Sequence, residues 1–228
     1  MKYGLLPKMM WGFFKKTFEK SLVDVWNVKN NKEIMKNAHV KYKEIIKSID
    51  KFDKKDRFVF NILSCAMLSA ILLNLDFDPA VEEVREYYRL SMMTNKIMKF
   101  TKKEVNYTEK GRNRLKKSSE WSKSNNNPYS WKFDVEDGAS INEYTATFHT
   151  CGICYLMKKL GLEKYIPAMC ALDYDMAHAN NTEFTRQYTL ASGRPYCDCH
   201  YNHKKNKKIT TICTIILIIL ARILLFLL

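Results

Sequence analysis

The stretch from His149 to His203 gathers five of the seven cysteines and four of the five histidines of this chain, side chains that can attack, protonate or ligate. His149 and Cys151 stand two apart, so on an extended strand an imidazole and a thiol share one face and the base can assist the nucleophile. Cys151 and Cys154 form a C-x-x-C where a strand gives way to a helix. Redox chemistry there needs an acidified thiolate in a thioredoxin-like setting, which the flanking pattern does not offer, and packing is the plainer role. Cys170 and Asp173 at i,i+3 project from one helix face and could bring a thiol and a carboxylate to one pocket. A core cysteine beside a surface aspartate has the same spacing. Asp175 and His178 repeat that interval on another face, without the further ligands a metal needs.

Cys197-Asp198-Cys199-His200 with His203 resembles a metal cluster until the strand period is applied. Cys197, Cys199 and Tyr201 then point one way, Asp198 and His200 the other, and no tetrahedral site closes without bending. Arg186 and Arg194 are the cations able to grip a small carboxylate through two parallel hydrogen bonds. For Arg186, a cross-strand pair with Asp198 is the competing account.

These residues need elements to position them. Helical spacing covers about 11–26, where Trp11, Phe14, Phe18, Leu22 and Val25 recur and dock on a core, and about 32–49. The apolar run 58–75 is interrupted by Asn61, Ser64, Ser69 and Asn74, which favours a buried core helix over a membrane span. Another helix is expected to open at Asp78-Pro79, with Asp as cap and Pro in the first turn, and to run toward Phe100. Residues 101–130 are basic and end in a breaker cluster at 122–128. The period then changes: Trp131–Val135 and Tyr144–Thr150 read as strands, 152–160 and 163–178 as helices. Phe184–Leu190 and Tyr196–Tyr201 read as strands joined through 191–195. Helices, then strands with returning helices, give an α+β fold: a helical N-terminal half, residues 1–121, packed on a small antiparallel sheet within 131–203.

The chain has 228 residues and a net charge of +14, enough for one domain with a real core. Seven cysteines, an odd number, fit a reduced main body rather than a disulfide scaffold. Residues 1–60 hold 15 basic and 7 acidic side chains, whereas 134–200 hold 5 and 9, so the region richest in Cys, His and Asp is net −4. Without a recognition motif, the lysines read as a solvated face and not as a nucleic-acid surface. Lys15-Lys16 interrupts the apolar start before a signal peptide can form. Residues 209–228 contain 16 apolar residues in 20 and follow a basic linker, 204–208. They are expected to span a membrane as a single-pass anchor with the main domain on the cytoplasmic side. Arg222 opposes this, but its long stem can snorkel to the far interface.

The order of the fragments resembles the L-2-amino-thiazoline-4-carboxylic acid hydrolase family. Phe148-His-Thr-Cys151, Gly161-Leu-Glu, Ile166-Pro-Ala-Met-Cys170-Ala-Leu-Asp173, Phe184-Thr-Arg186-Gln-Tyr-Thr189-Leu-Ala-Ser-Gly193 and Cys197-Asp198 carry the resemblance, which extends over residues 30–203. Cys199 departs from it, standing where the family pattern has an aromatic. The resemblance implies hydrolytic opening of a cyclic isothiourea to a carbamoyl-cysteine. Cys151, Cys170, Asp173 and His149 are then the catalytic candidates, and Arg186, Thr189, Cys197 and Asp198 the substrate-binding ones. No metal or other cofactor is called for. A non-catalytic small-molecule sensor, or a membrane-anchored interaction protein, are the other readings. The former predicts saturable binding without turnover and the latter neither.

Overall fold

The computed structural model describes residues 1–100 and 104–204. The expected membrane segment 209–228 and most of the basic linker lie outside the described residues. Within them, no helix is long and apolar enough to cross a membrane.

The architecture is α+β. Four helices come first: α1 (Leu5–Trp26), α2 (Asn31–Ser48), α3 (Val59–Leu72) and α4 (Val81–Met93). Then follow α5 (Glu109–Ser124), β1 (Phe133–Asp137), β2 (Glu143–Phe148), α6 (Gly152–Lys159), α7 (Ile166–Ala179), β3 (Thr182–Thr185) and β4 (Cys197–His203). The strands form one sheet in the order β1-β2-β4-β3, every pair antiparallel. Its inner face carries Phe133, Tyr144, Ala146, Phe184, Cys197 and Cys199, all buried, while His149 and His200 are exposed. That alternation is the pleat period with one face dry.

α3 is the central helix. Every residue from Ile62 to Leu72 is buried, and each fully buried Leu, Ile or Met contributes roughly 1.5–3 kcal/mol of transfer free energy. Two of the polar residues expected to mark it as a core helix bond to carbonyls one turn back: the Ser64 hydroxyl donates to the Asn61 carbonyl, and Asn74 Nδ2, just past its end, to the Ala70 carbonyl. α1 docks on this core through Trp11, Phe14, Phe18 and Leu22.

Several boundaries depart from the sequence expectation. The fourth helix opens at Val81, not at Asp78-Pro79; the Ala80 N–H is taken by the Glu83 carboxylate at 2.8 Å. Asp78 is drawn away, pairing with Lys164 and accepting from the Tyr165 hydroxyl at 2.7 Å, contacts that hold its carboxyl below its ordinary value. α4 also stops at Met93 rather than near Phe100. Asn95 turns its amide to the Phe13 carbonyl and accepts from the Ile97 N–H, local bonds that compete with helix. The basic stretch contains a helix, α5, fixed by the buried Arg112, which donates to Asp137 at 2.6 Å and to the Glu143 and Ile141 carbonyls.

The first strand begins at Phe133, not Trp131, because Tyr129 and Trp131 turn into the core. The strand expected over Phe184–Leu190 lies instead at Thr182–Thr185. Beyond it, the Gln187 and Tyr188 N–H groups donate to the Asp198 carboxylate at 3.1 and 2.6 Å, which peels the chain off the ladder. The connection then closes with a short 3-10 turn at Leu190–Ser192 and Gly193 at φ +76°, a left-handed position suited to glycine.

Candidate active site

α7 opens with Pro167 in its first turn, where the missing N–H costs nothing. Its helical period turns Cys170 and Asp173 toward the space between the inner sheet face, α3 and α4. β4 contributes Cys197, Cys199 and Tyr201 from its inward positions, and Cys151 enters at the N-cap of α6, just beyond β2. These six residues and Arg186 line one cavity of about 300 Å³.

Arg186, the residue after β3, is the cation of this cavity. Its Nη1 lies 3.0 Å from Asp173 Oδ2 and its Nη2 donates to the Cys170 carbonyl at 3.2 Å. The guanidinium rests 5.4 Å from the Phe184 ring centre and 5.7 Å from that of Tyr174, within cation–π range. Only 5% of the Arg186 side chain is exposed, against 48% for Asp173. Arg186 Nε is buried and makes no hydrogen bond of its own, with the Cys199 thiol a weak acceptor at the guanidinium's remaining edge. A buried donor left unmade is costly, so it marks a place for an acceptor from a ligand. Burial works against the guanidinium charge, but Asp173 outweighs it and the group's pKa stands above its ordinary value.

The thiols are held neutral. Burial, then the Asp173 charge, pushes Cys170 well above its ordinary value, and the same pair of causes takes Cys199 up to about 12. Burial also raises Cys197. Cys151 is raised first by its hydrogen bond with Cys154 and then by burial. All six described cysteines are free. Among the described residues, no cluster of His, Cys, Asp and Glu is arranged to hold a metal ion.

Of the sequence candidates, then, Cys151, Cys170, Asp173, Arg186 and Cys197 converge, and His149, Thr189 and Asp198 do not line the cavity. β2 ends at Phe148, and the exposed His149 ring bonds Asp134 at 2.7 Å, so imidazole and Cys151 thiol do not share a strand face. Thr189 caps the 3-10 turn, its hydroxyl accepting from the Ser192 N–H at 3.1 Å. Asp198 does not pair with Arg186; it accepts from the Gln187 and Tyr188 N–H groups. Burial alone would raise its carboxyl, but the Tyr188 and Gln187 N–H groups bring it below its ordinary value. Both residues shape the segment that carries Arg186.

Sequence reasoning missed Ser64 and Tyr88 as cavity residues, which bond each other at 3.1 Å, and the aromatic wall of Phe58, Trp131 and Phe148. The polar interruptions Asn61 and Ser64 in an apolar helix were the available signal; both face this space.

The family model described as L-2-amino-thiazoline-4-carboxylic acid hydrolase matches residues 76–201, from the approach to α4 through the end of the Cys197–Tyr201 strand positions, and leaves α1 to α3 outside the match. No curated protein and no solved structure matches the chain. The match spans more than half of the sequence and contains Cys151, Cys170, Asp173, Arg186 and the inward residues of β4, so the chain belongs to the L-2-amino-thiazoline-4-carboxylic acid hydrolase family.

Proposed function

We propose that this domain opens a carboxylate-bearing cyclic isothiourea by hydrolysis, giving a carbamoyl-cysteine. The observation that carries the reading is the meeting of a buried cation, a half-exposed carboxylate and protonated thiols in one cavity. The substrate carboxylate accepts from Arg186, whose Nε–H is unused by the protein. A water oxygen bonds to the ring carbon held between nitrogen and sulfur, and the Asp173 carboxylate takes the water's proton. The ring C–N or C–S bond then breaks, and the departing atom receives a proton. Cys170 and Cys151, kept as thiols, are suited to donating that proton and being restored by Asp173. A resting thiolate nucleophile would have to form against burial and against the Asp173 charge, which favours water as the attacking group.

The basic linker and apolar run at 204–228 support attachment of the same domain to a membrane. The test of the catalytic reading is a ring-opening assay on 2-amino-thiazoline-4-carboxylate. Wild-type turnover is expected, with Asp173→Asn slower by about a hundredfold or more, the usual scale for a lost general base. Saturable binding by the wild type without any turnover would replace hydrolysis with a ligand-binding role.

A further inference from the structure

The cavity is more apolar than a bare thiazoline acid needs. Its ionic groups, Asp173 and Arg186, come from α7 and the chain after β3; Ser64 and Tyr88 are spent on each other, and Asn61, the Tyr201 hydroxyl and four thiols complete the polar lining. Much of the remaining wall is aromatic ring and thioether: Phe58, Trp131, Phe148, Met92, Met98 and Met169. The ring centre of Phe58 lies 4.8 Å from that of Trp131 and 6.1 Å from that of Phe148, so the three make one continuous surface.

The cavity's volume of about 300 Å³ reaches the range that holds drug-sized ligands, roughly 300–1,000 Å³. An aminothiazoline carboxylate is a single small ring with heteroatoms around most of its edge. Pressing those atoms on hydrocarbon would remove their water without replacing it. A hydrocarbon group in the same place gains from burial instead, and flexible methionines accommodate more than one shape.

We propose that the natural ligand is an amphipathic acid: a carboxylate-bearing heterocycle that also carries an apolar substituent. The carboxylate sits on Arg186, which is 5% exposed and has its Nε unpartnered, and the substituent lies on the Phe58–Trp131–Phe148 surface. This rests on the hydrolytic reading only for the choice of heterocycle.

The probes are aromatic 2-amino-thiazole-4-carboxylates, which resist ring opening, bearing hydrogen, methyl, propyl or phenyl at the neighbouring ring carbon, with the carboxamide of the phenyl compound as control. They are titrated calorimetrically into the full chain. Affinity is expected to rise about fourfold per buried methylene, and the carboxamide to bind at least tenfold more weakly than its acid. A flat or falling series, or equal binding of acid and carboxamide, overturns the proposal. Ring opening of the matching thiazolines is followed in parallel. Turnover with a flat series keeps the hydrolytic reading and removes this one; a rising series with no turnover does the reverse.

Discussion

Arg186 Nη1 and Asp173 Oδ2 stand 3.0 Å apart, yet the two partners differ in their access to water: the arginine side chain is 5% exposed and the aspartate 48%. The carboxylate can be solvated if its partner is lost; the guanidinium cannot. Breaking such a pair therefore depends on which side is removed.

Asp173→Asn is accordingly expected to destabilise the fold by about 2 kcal/mol, below the value for a fully buried pair because Asp173 is half exposed. Arg186→Met should cost less than about 1 kcal/mol in urea unfolding, since water takes over at Asp173. Arg186→Lys keeps the charge but loses the fork that serves Asp173, the Cys170 carbonyl and a ligand at once. Its KM should rise about thirtyfold, the equivalent of one charge-assisted hydrogen bond of ~2 kcal/mol, with kcat within threefold. Equal destabilisation by Asp173→Asn and Arg186→Met would contradict the asymmetry.

The raised thiols make stability fall in alkali. Cys65, Cys151, Cys170 and Cys199 all titrate above their ordinary value in the folded chain, Cys199 at about 12. The unfolded chain releases these protons from about pH 8.5. Between that pH and each folded value, the folded state binds more protons, so stability drops as pH rises. Each thiol adds a slope of up to about 1.4 kcal/mol per pH unit. Urea midpoints should hold steady between about pH 7 and 8 and decline from there to pH 10, less steeply in Cys199→Ala. A midpoint unchanged across that window would mean the thiols are not buried as described.

What the sequence revealed of this site follows from periodicity. Cys170 with Asp173, and Cys197 with Cys199 and Tyr201, were legible because a helix or strand period alone decides which way they face. His149 was misplaced because its pairing with Cys151 assumes that β2 continues. The strand ends instead where the His149 N–H donates to the Lys132 carbonyl at 2.8 Å and the Thr150 hydroxyl accepts from the Lys132 N–H at 2.7 Å. Arg186 was legible as a cation for a carboxylate, but its pairing with Asp173 was not, and the competing pair with Asp198 stayed open because nothing local announces that Asp198 captures backbone N–H groups instead. Arg112 was lost in a basic stretch read as solvated, although 3% exposure and four hydrogen-bonded acceptors make it a structural centre. Such contacts join residues distant in the chain and leave no periodic trace.

Membrane attachment is a separate expectation, carried by the 16 apolar residues within 209–228 and the lysines before them. The full chain should sediment with membranes and be released by detergent but not by salt or alkaline carbonate. A chain ending at residue 208 should remain in the supernatant with unchanged ring-opening kinetics. Recovery of the full chain in the supernatant without detergent would exclude the anchor.

Gly152 ties the fold to the position of Cys151. It is the first residue of α6, and a Cβ there would come within 1.9 Å of the Tyr129 carbonyl oxygen, 2.4 Å of its carbon and 3.1 Å of Ile62 Cδ1. Its constraint is lack of space rather than backbone conformation. The Tyr129 segment has little freedom to yield, because its N–H donates to Asn127 at 3.0 Å and its hydroxyl to the Ser48 carbonyl at 3.1 Å. Gly152→Ala must therefore push α6 outward and carry Cys151 with it. A loss of roughly 2–3 kcal/mol is expected, the upper range for overpacking, together with slower ring opening. Gly161→Ala is the control: at φ +70° with open space around it, it pays only backbone strain of about 1–2 kcal/mol and should leave kcat unchanged. Were Gly152→Ala no more harmful than Gly161→Ala to both stability and kcat, close approach at Tyr129 would not be what sets the Cys151 corner of the cavity.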